Sequence, residues 1–242
     1  MPDFTKQESF NRIRPLSSSI KRGKYDIPII PKSEINLEKL NDGLFLQGFQ
    51  NSTKKDTHCK EKIVHFFIND REFERLYEKS LKYIPRLAKY YAVRTPDFSR
   101  FDGRDKFGII QATYRNRYLG ALWSDYGRKV IPTIGWAGPA SYEICFEGVE
   151  TESIVSISTL GIHSDKESKE EFRQGFTRMR NKLNPSAIIC LGDPVEGMNT
   201  DNVYFVPYQD SFGKQFQNGW QTRLFDYRKG ANNYGIKRRK AA

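Results

Sequence analysis

Between residues 61 and 210 the chain switches repeatedly between two hydrophobic periods. Short runs dense in β-branched and aromatic residues read as strands: IVHFFI (63–68), YYAVRT (90–95), KVIPTIGW (129–136), SIVSIST (153–159), AIICLG (187–192) and VYFVPY (203–208). LFLQGF (44–49) reads as a further short strand ahead of them. The segments between carry helical spacing. After IVHFFI, the residues Phe73, Leu76, Tyr77, Leu81 and Ile84 share one helical face, and Asp70 stands where an N-cap would. Pro85 is expected to kink or end that helix. FGIIQATYRNRYLGALWSDYG (107–127) reads as a helix closed by Gly127, and KESKEEFRQGFTRMRNKLN (166–184) as an amphipathic one. A short helix is expected in SYEICFEG (141–148). Pro132 argues for an edge strand or a local irregularity in KVIPTIGW. AIICLG is apolar on both faces, the pattern of a central parallel strand.

Apolar strands alternating with helices predict an α/β domain with a mainly parallel sheet flanked by helices. Two closures fit: a doubly wound sheet and an incomplete (β/α) barrel, which share the same crossover hand. The regular pattern stops at both ends. Residues 1–43 are rich in Pro, Ser and Lys and hold no sustained period, although IPIIP (27–31) is apolar enough to lie on the body. The expected division is an extended N-terminal arm and lead-in (1–60), an α/β core (61–210) and a basic, aromatic C-terminal tail (211–242).

Charge follows the same division. The net +11 comes from the ends: residues 1–60 carry 11 Lys/Arg against 7 Asp/Glu, residues 211–242 carry 8 against the single Asp226, and 61–210 holds 21 of each. Basic ends attract polyanions and also simply aid solubility. In the tail, aromatics interleave with Arg223, Arg228, Lys229, Lys237, Arg238, Arg239 and Lys240, a mixture suited to stacking bases and pairing phosphates. No run nears the roughly 20 apolar residues of a membrane span, and MPDFTKQESF has no signal-peptide core, so a cytoplasmic protein without a membrane partner is expected. Cys59, Cys145 and Cys190 are scattered and odd in number, which points to packing thiols.

Candidate chemistry sits at the strand ends, where parallel α/β folds bind ligands. The fold would gather Asn69 and Asp70; Thr95, Asp97 and Ser99; Thr133 and Trp136; Ser158, Thr159 and His163; Gly192 and Asp193. Acids, hydroxyls and an indole on one rim can hold a sugar, a nucleotide or a divalent cation, the last on Asp70, Asp97 and Asp193. Each acid is equally at home as a helix cap or turn residue. YRNRYLG (114–120) sets Arg115 and Arg117 among aromatics in an apolar helix, which suits either a phosphate clamp or a salt bridge. His65 inside IVHFF reads as a satisfied core residue. The chain has no Walker A run, no G-x-G-x-x-G opening a helix, no nucleophile elbow and no H-E-x-x-H.

The blocks HFFIND-x-x-FE (65–74), TPDFS (95–99), YRNRYLGALW (114–123), GRKVIPTIGW (127–136), FEGV (146–149), VSISTLG (155–161) and LNPSAIICLGD (183–193) occur together and in order. In them the chain resembles the domain-of-unknown-function family four-four-one-seven, a set of phage, plasmid and mobile-element proteins. The family pattern has two acids after the FF pair, where this chain has Asn69 and Asp70. The resemblance implies a mobile-element setting, in the host cytoplasm if phage-encoded, and carries no activity. The leading expectation is an α/β core that binds a phosphate-bearing ligand, nucleotide or nucleic acid, through Asp97, Ser99, Arg115, Arg117, Trp136, Ser158, Thr159 and Asp193, with basic tails assisting. The alternatives are a metal-dependent phosphohydrolase or nuclease, and a non-enzymatic phage protein that binds a host factor.

Overall fold

Strand order in space follows strand order in the chain. The computed structural model describes residues 15–36, 45–100 and 105–207, and the backbone of 225–226. Four parallel strands lie side by side: β1 (Phe45–Gly48), β2 (Lys62–His65), β3 (Ala92–Arg94) and β4 (Val130–Ile131). Three more follow in the same sense, β5 (Ile154–Ser158), β6 (Ala187–Leu191) and β7 (Val203–Val206), with β8 (Phe225–Asp226) antiparallel on β7. One backbone bridge, Thr133 to Ser156, joins the two sheets. There Ser156 N donates to Pro132 O at 2.8 Å and Ile134 N donates to Ser156 O at 2.8 Å. A doubly wound sheet reverses its order at a switch point. Among the described strands this order does not reverse, so of the two expected closures they follow that of an incomplete (β/α) barrel.

Alternation along the strands builds two kinds of core. Inward residues of both sheets, among them Leu46, Ile63, Ala92, Ile131, Ile189, Leu191, Tyr204 and Val206, meet in one interior cluster. Outward residues of β2–β4 (Val64, Val93, Val130) pack on α1 (Arg75–Glu78), α2 (Ser80–Leu87) and α3 (Lys106–Asp125). Outward residues of β5–β7 (Val155, Ile157, Ile188, Cys190, Val203, Phe205) pack on α4 (Tyr142–Cys145) and α5 (Lys166–Leu183). From α5 come Phe172, Phe176, Met179 and Leu183, the spacing of one helical face. Each such apolar side chain stabilises by about 1.5–3 kcal/mol when fully buried.

Local chemistry sets the ends. Asp105 caps α3 by accepting from Gly108 N at 2.8 Å, and Asp165 caps α5 by accepting from Ser168 N at 2.7 Å. Helix α3 closes at Gly127 (φ +70°), with Arg128 N donating to Trp123 O and Gly127 N to Ser124 O, the paired bonds of a Schellman end. Pro85 lies inside α2, six residues after the Lys79 that separates α2 from α1, so it neither ends the helix nor sits at the break. Pro132 marks an irregularity at the middle of the barrel, so it is not on an edge. Strand β1 pairs along its length with β2, so the core begins inside the segment assigned to the lead-in. Ile27 and Ile30 of IPIIP are fully buried, and Ile30 N donates to Gly148 O at 3.0 Å.

That docking depends on a bare position. A methyl at Gly120 would overlap Ile30 and the Thr95 methyl. Gly→Ala inside a helix ordinarily stabilises by about 1 kcal/mol. Gly120→Ala is predicted to destabilise instead, by about 1–3 kcal/mol, the cost of overpacking. Urea unfolding of the full chain measures it, and a stabilised variant would show that the arm is not seated on α3.

Candidate functional site

A cleft of about 530 Å³ opens beyond the carboxyl ends of β2 to β5. Its polar lining is Asn69, Asp70, Asp97, Ser99, Arg100 and Ser158, and its apolar lining includes Phe67, Ile134, Trp136 and Phe172. The segment RTPDFSR supplies one wall. Asp70 accepts from Ser99 N and from Ser99 Oγ, each at 3.0 Å, which ties the loop after β2 to the loop after β3. The cap expected of Asp70 falls to Asn69, whose Oδ1 accepts from Arg71 N at 3.1 Å. Asp97 pairs with Arg100 at 3.3 Å; the Arg100 side chain is 2% exposed and that of Asp97 32%. Burial lifts the Asp97 carboxyl above its ordinary range, Arg100 opposes this, and Asp70 adds to it. The Nη2 of Arg100 is buried without a hydrogen-bond partner. Opposite stands Trp136, edge-on to Phe146 at 6.0 Å and tilted on Phe172 at 5.4 Å between ring centroids.

Both walls are set by side chains of α3. Asn116 Nδ2 donates to Pro96 O at 2.7 Å and to Thr133 O at 3.2 Å, and its Oδ1 accepts from Thr95 Oγ1 at 2.9 Å. Arg117 donates to Thr133 O at 3.0 Å, Cys145 O at 2.7 Å, Glu147 O at 2.8 Å and the Asn116 amide oxygen. Thr133 closes the knot: its N donates to Thr95 Oγ1 at 2.7 Å and its Oγ1 to Thr95 O at 2.6 Å. Pro96 immediately precedes Asp97 and Thr133 lies three residues before Trp136, so this buried network aims both walls.

The model of the family Domain of unknown function (DUF4417) matches residues 21–209. The chain belongs to this family. Two "Gene 1 protein" relatives come from mycobacteriophages: that of phage D29 is 32% identical over 160 residues, covering 65% of this chain and 59% of the relative, and that of phage L5 is 35% identical over 129 residues, covering 53% and 56%. The chain thus spans under three-fifths of the length of these relatives. No solved structure matches. A phage protein of a family without assigned activity is what these findings support.

Against this DUF4417 fold the sequence-based candidates divide. Asp97, Ser99, Trp136 and Ser158 line the cleft, with Asp70 beside them. Arg115 and Arg117 do not. Arg117 is fully buried on the far side of Thr133, with its donors spent on protein acceptors, so it clamps backbone outside the cleft. Arg115 pairs with Glu74 and lies over the rings of Tyr77 and Phe98, at 4.9 and 4.1 Å, on the outer face. Buried Thr159 donates to Asp193 O at 2.7 Å and holds the loop after β6, while the Asp193 side chain stays outside the cleft. The trio Asp70, Asp97 and Asp193 is therefore not assembled, and among the described residues no three His, Cys, Asp or Glu gather as a metal site. Arg223, Arg228, Lys229, Lys237, Arg238, Arg239 and Lys240 lie outside the described residues. Sequence reasoning missed Arg100, three residues after Asp97, and Arg94, a charge inside an otherwise apolar strand. No described helix is long and apolar enough to cross a membrane.

Arg117→Met is predicted to lower stability by about 3–5 kcal/mol, because buried carbonyls lose their donors. Denaturant unfolding checks this, and an unchanged midpoint would return Arg117 to the ligand-binding role.

Proposed function

We propose that the cleft binds a nucleotide-class ligand. The observation that carries this reading is convergence on one cleft of a braced indole face, two carboxylates, two hydroxyls and an unpartnered guanidinium nitrogen. Trp136 offers a flat surface for a base. Asp97, Ser99 and Ser158 suit the amino and hydroxyl groups of base and sugar. Arg100, and neither Arg115 nor Arg117, brings a guanidinium to the cleft, where it holds the Asp97 carboxylate and has one further N–H to give to base or sugar. Nucleic-acid contact is assigned to the basic residues of 211–242.

The test is calorimetric titration of the full chain with nucleosides and their mono- and triphosphates. Trp136→Ala is expected to abolish binding, and binding that survives both Trp136→Ala and Asp97→Asn would refute the reading. Asp97→Asn should weaken binding about tenfold or more. It should also melt at or above the parent temperature near neutral pH. A raised carboxyl binds its proton more tightly in the native state, so its contribution is present at low pH and lost as pH rises through the raised value. The parent should therefore lose stability relative to Asp97→Asn above the ordinary carboxylate range.

One observation favours metal-dependent phosphohydrolysis as a second reading: Asp70 and Asp97 repel one another at the cleft, and a divalent cation between them would relieve both. Thermal stabilisation by magnesium or manganese that vanishes in Asp97→Asn is its expected signature; no metal response would remove it.

A further inference from the structure

Among the described residues, the deeply buried cations are partnered with one exception. Lys62 donates to Asp56 at 2.7 Å and to Gln47 at 3.3 Å. Arg117 has its carbonyl acceptors, and Arg100 has Asp97. Arg94 is fully buried, and none of its three side-chain nitrogens has a hydrogen-bond acceptor. Burial alone lowers it to about 9, so it still carries its charge at neutral pH. An uncompensated buried guanidinium costs stability.

Position explains where a partner would come from. Arg94 lies two residues beyond Ala92, on the same inward face of β3, one layer below the cleft floor. His65 stands beside it on β2, one past the Val64 that pairs with Val93, and Ser156 on β5 pairs with Thr133, two residues past the Ile131 that pairs with Arg94. The Ser156 hydroxyl is also buried without a partner. The next residues up on β2 and β5, Phe67 and Ser158, line the cleft. The guanidinium carbon lies 5.6 Å from the centroid of the Phe67 ring, which separates it from the opening.

We propose that Arg94 and Ser156 form an oxyanion pit beneath the cleft, which receives a phosphate or carboxylate group of the ligand once the Phe67 ring turns aside. This deepens the nucleotide reading and rests on the cleft being a ligand site. The cation–π contact with Phe67 is weaker than a charge-assisted hydrogen bond, so an oxyanion displaces it favourably.

The probes are inorganic phosphate and acetate, each titrated into the full chain at constant ionic strength with chloride as the balancing salt. At least one is expected to raise the melting temperature, and which one does so identifies the phosphoryl or carboxyl group. Arg94→Met should melt at or above the parent and bind that anion about tenfold or more less tightly. If Arg94→Met does not fold, Ser156→Ala supplies the test, with weakened anion binding at an unchanged melting temperature. A parent that responds to neither anion, or an Arg94→Met or Ser156→Ala variant that responds like the parent, overturns the pit. Trp136→Ala separates the two readings, since it should retain the anion response while losing nucleosides. Nucleoside binding without any Arg94-dependent anion response sinks the pit alone. An Arg94-dependent response without nucleoside binding upholds the pit and sinks the stacking role.

Discussion

The architecture turns on a buried polar knot at the middle of the barrel. Pro132 has no N–H to give, and the ladder between β4 and β5 is reduced to one bridge at Thr133. A seam this thin would leave backbone carbonyls buried and unpaired. Asn116 and Arg117 fill the deficit from α3, reaching Pro96, Thr133, Cys145 and Glu147. The same bonds fix the two chain segments that become the cleft walls. Fold and site thus share one set of hydrogen bonds, and neither can be altered there without the other.

Charge is distributed by depth. Toward the amino ends of the strands, Lys62 is neutralised by Asp56, itself held by the Tyr90 hydroxyl at 3.2 Å. At the seam, Arg117 is absorbed by carbonyls. Toward the carboxyl ends, compensation is partial: Arg100 opposes the burial that lifts Asp97 without cancelling it, and Arg94 is left without an acceptor. Native structures place uncompensated polar groups where a ligand completes them, because elsewhere they only cost stability. The interior therefore runs from a satisfied base to a top that is electrostatically incomplete.

How legible this was from sequence depends on the scale of the interaction. The strands were readable because buried parallel strands need dense β-branched runs, and AIICLG formed β6 between two neighbours as its composition demanded. The closure was not readable, since a doubly wound sheet and a barrel ask for the same strand–helix alternation. Asp97, Ser99, Trp136 and Ser158 could be placed together because strand ends form one rim in either closure. Arg117 was misjudged because an arginine among aromatics looks alike whether it faces phosphate or buried carbonyls, and only the seam at Pro132 decides. Arg94 did leave a signal: its parity with Ala92 put a charge on the inward face. Asp70 was assigned to a cap one residue too late, because the partner that claims it, Ser99, is 29 positions away.

The most direct test of the central claim, that the incomplete top of this barrel is completed by a phosphate-bearing ligand, is a crystal structure of the full chain grown with adenosine monophosphate. The expected structure has the base against Trp136, the ribose near Asp97 and Ser99, and the phosphate at Arg94 with Phe67 turned out. A nucleotide bound elsewhere, with Phe67 still over Arg94, would contradict it.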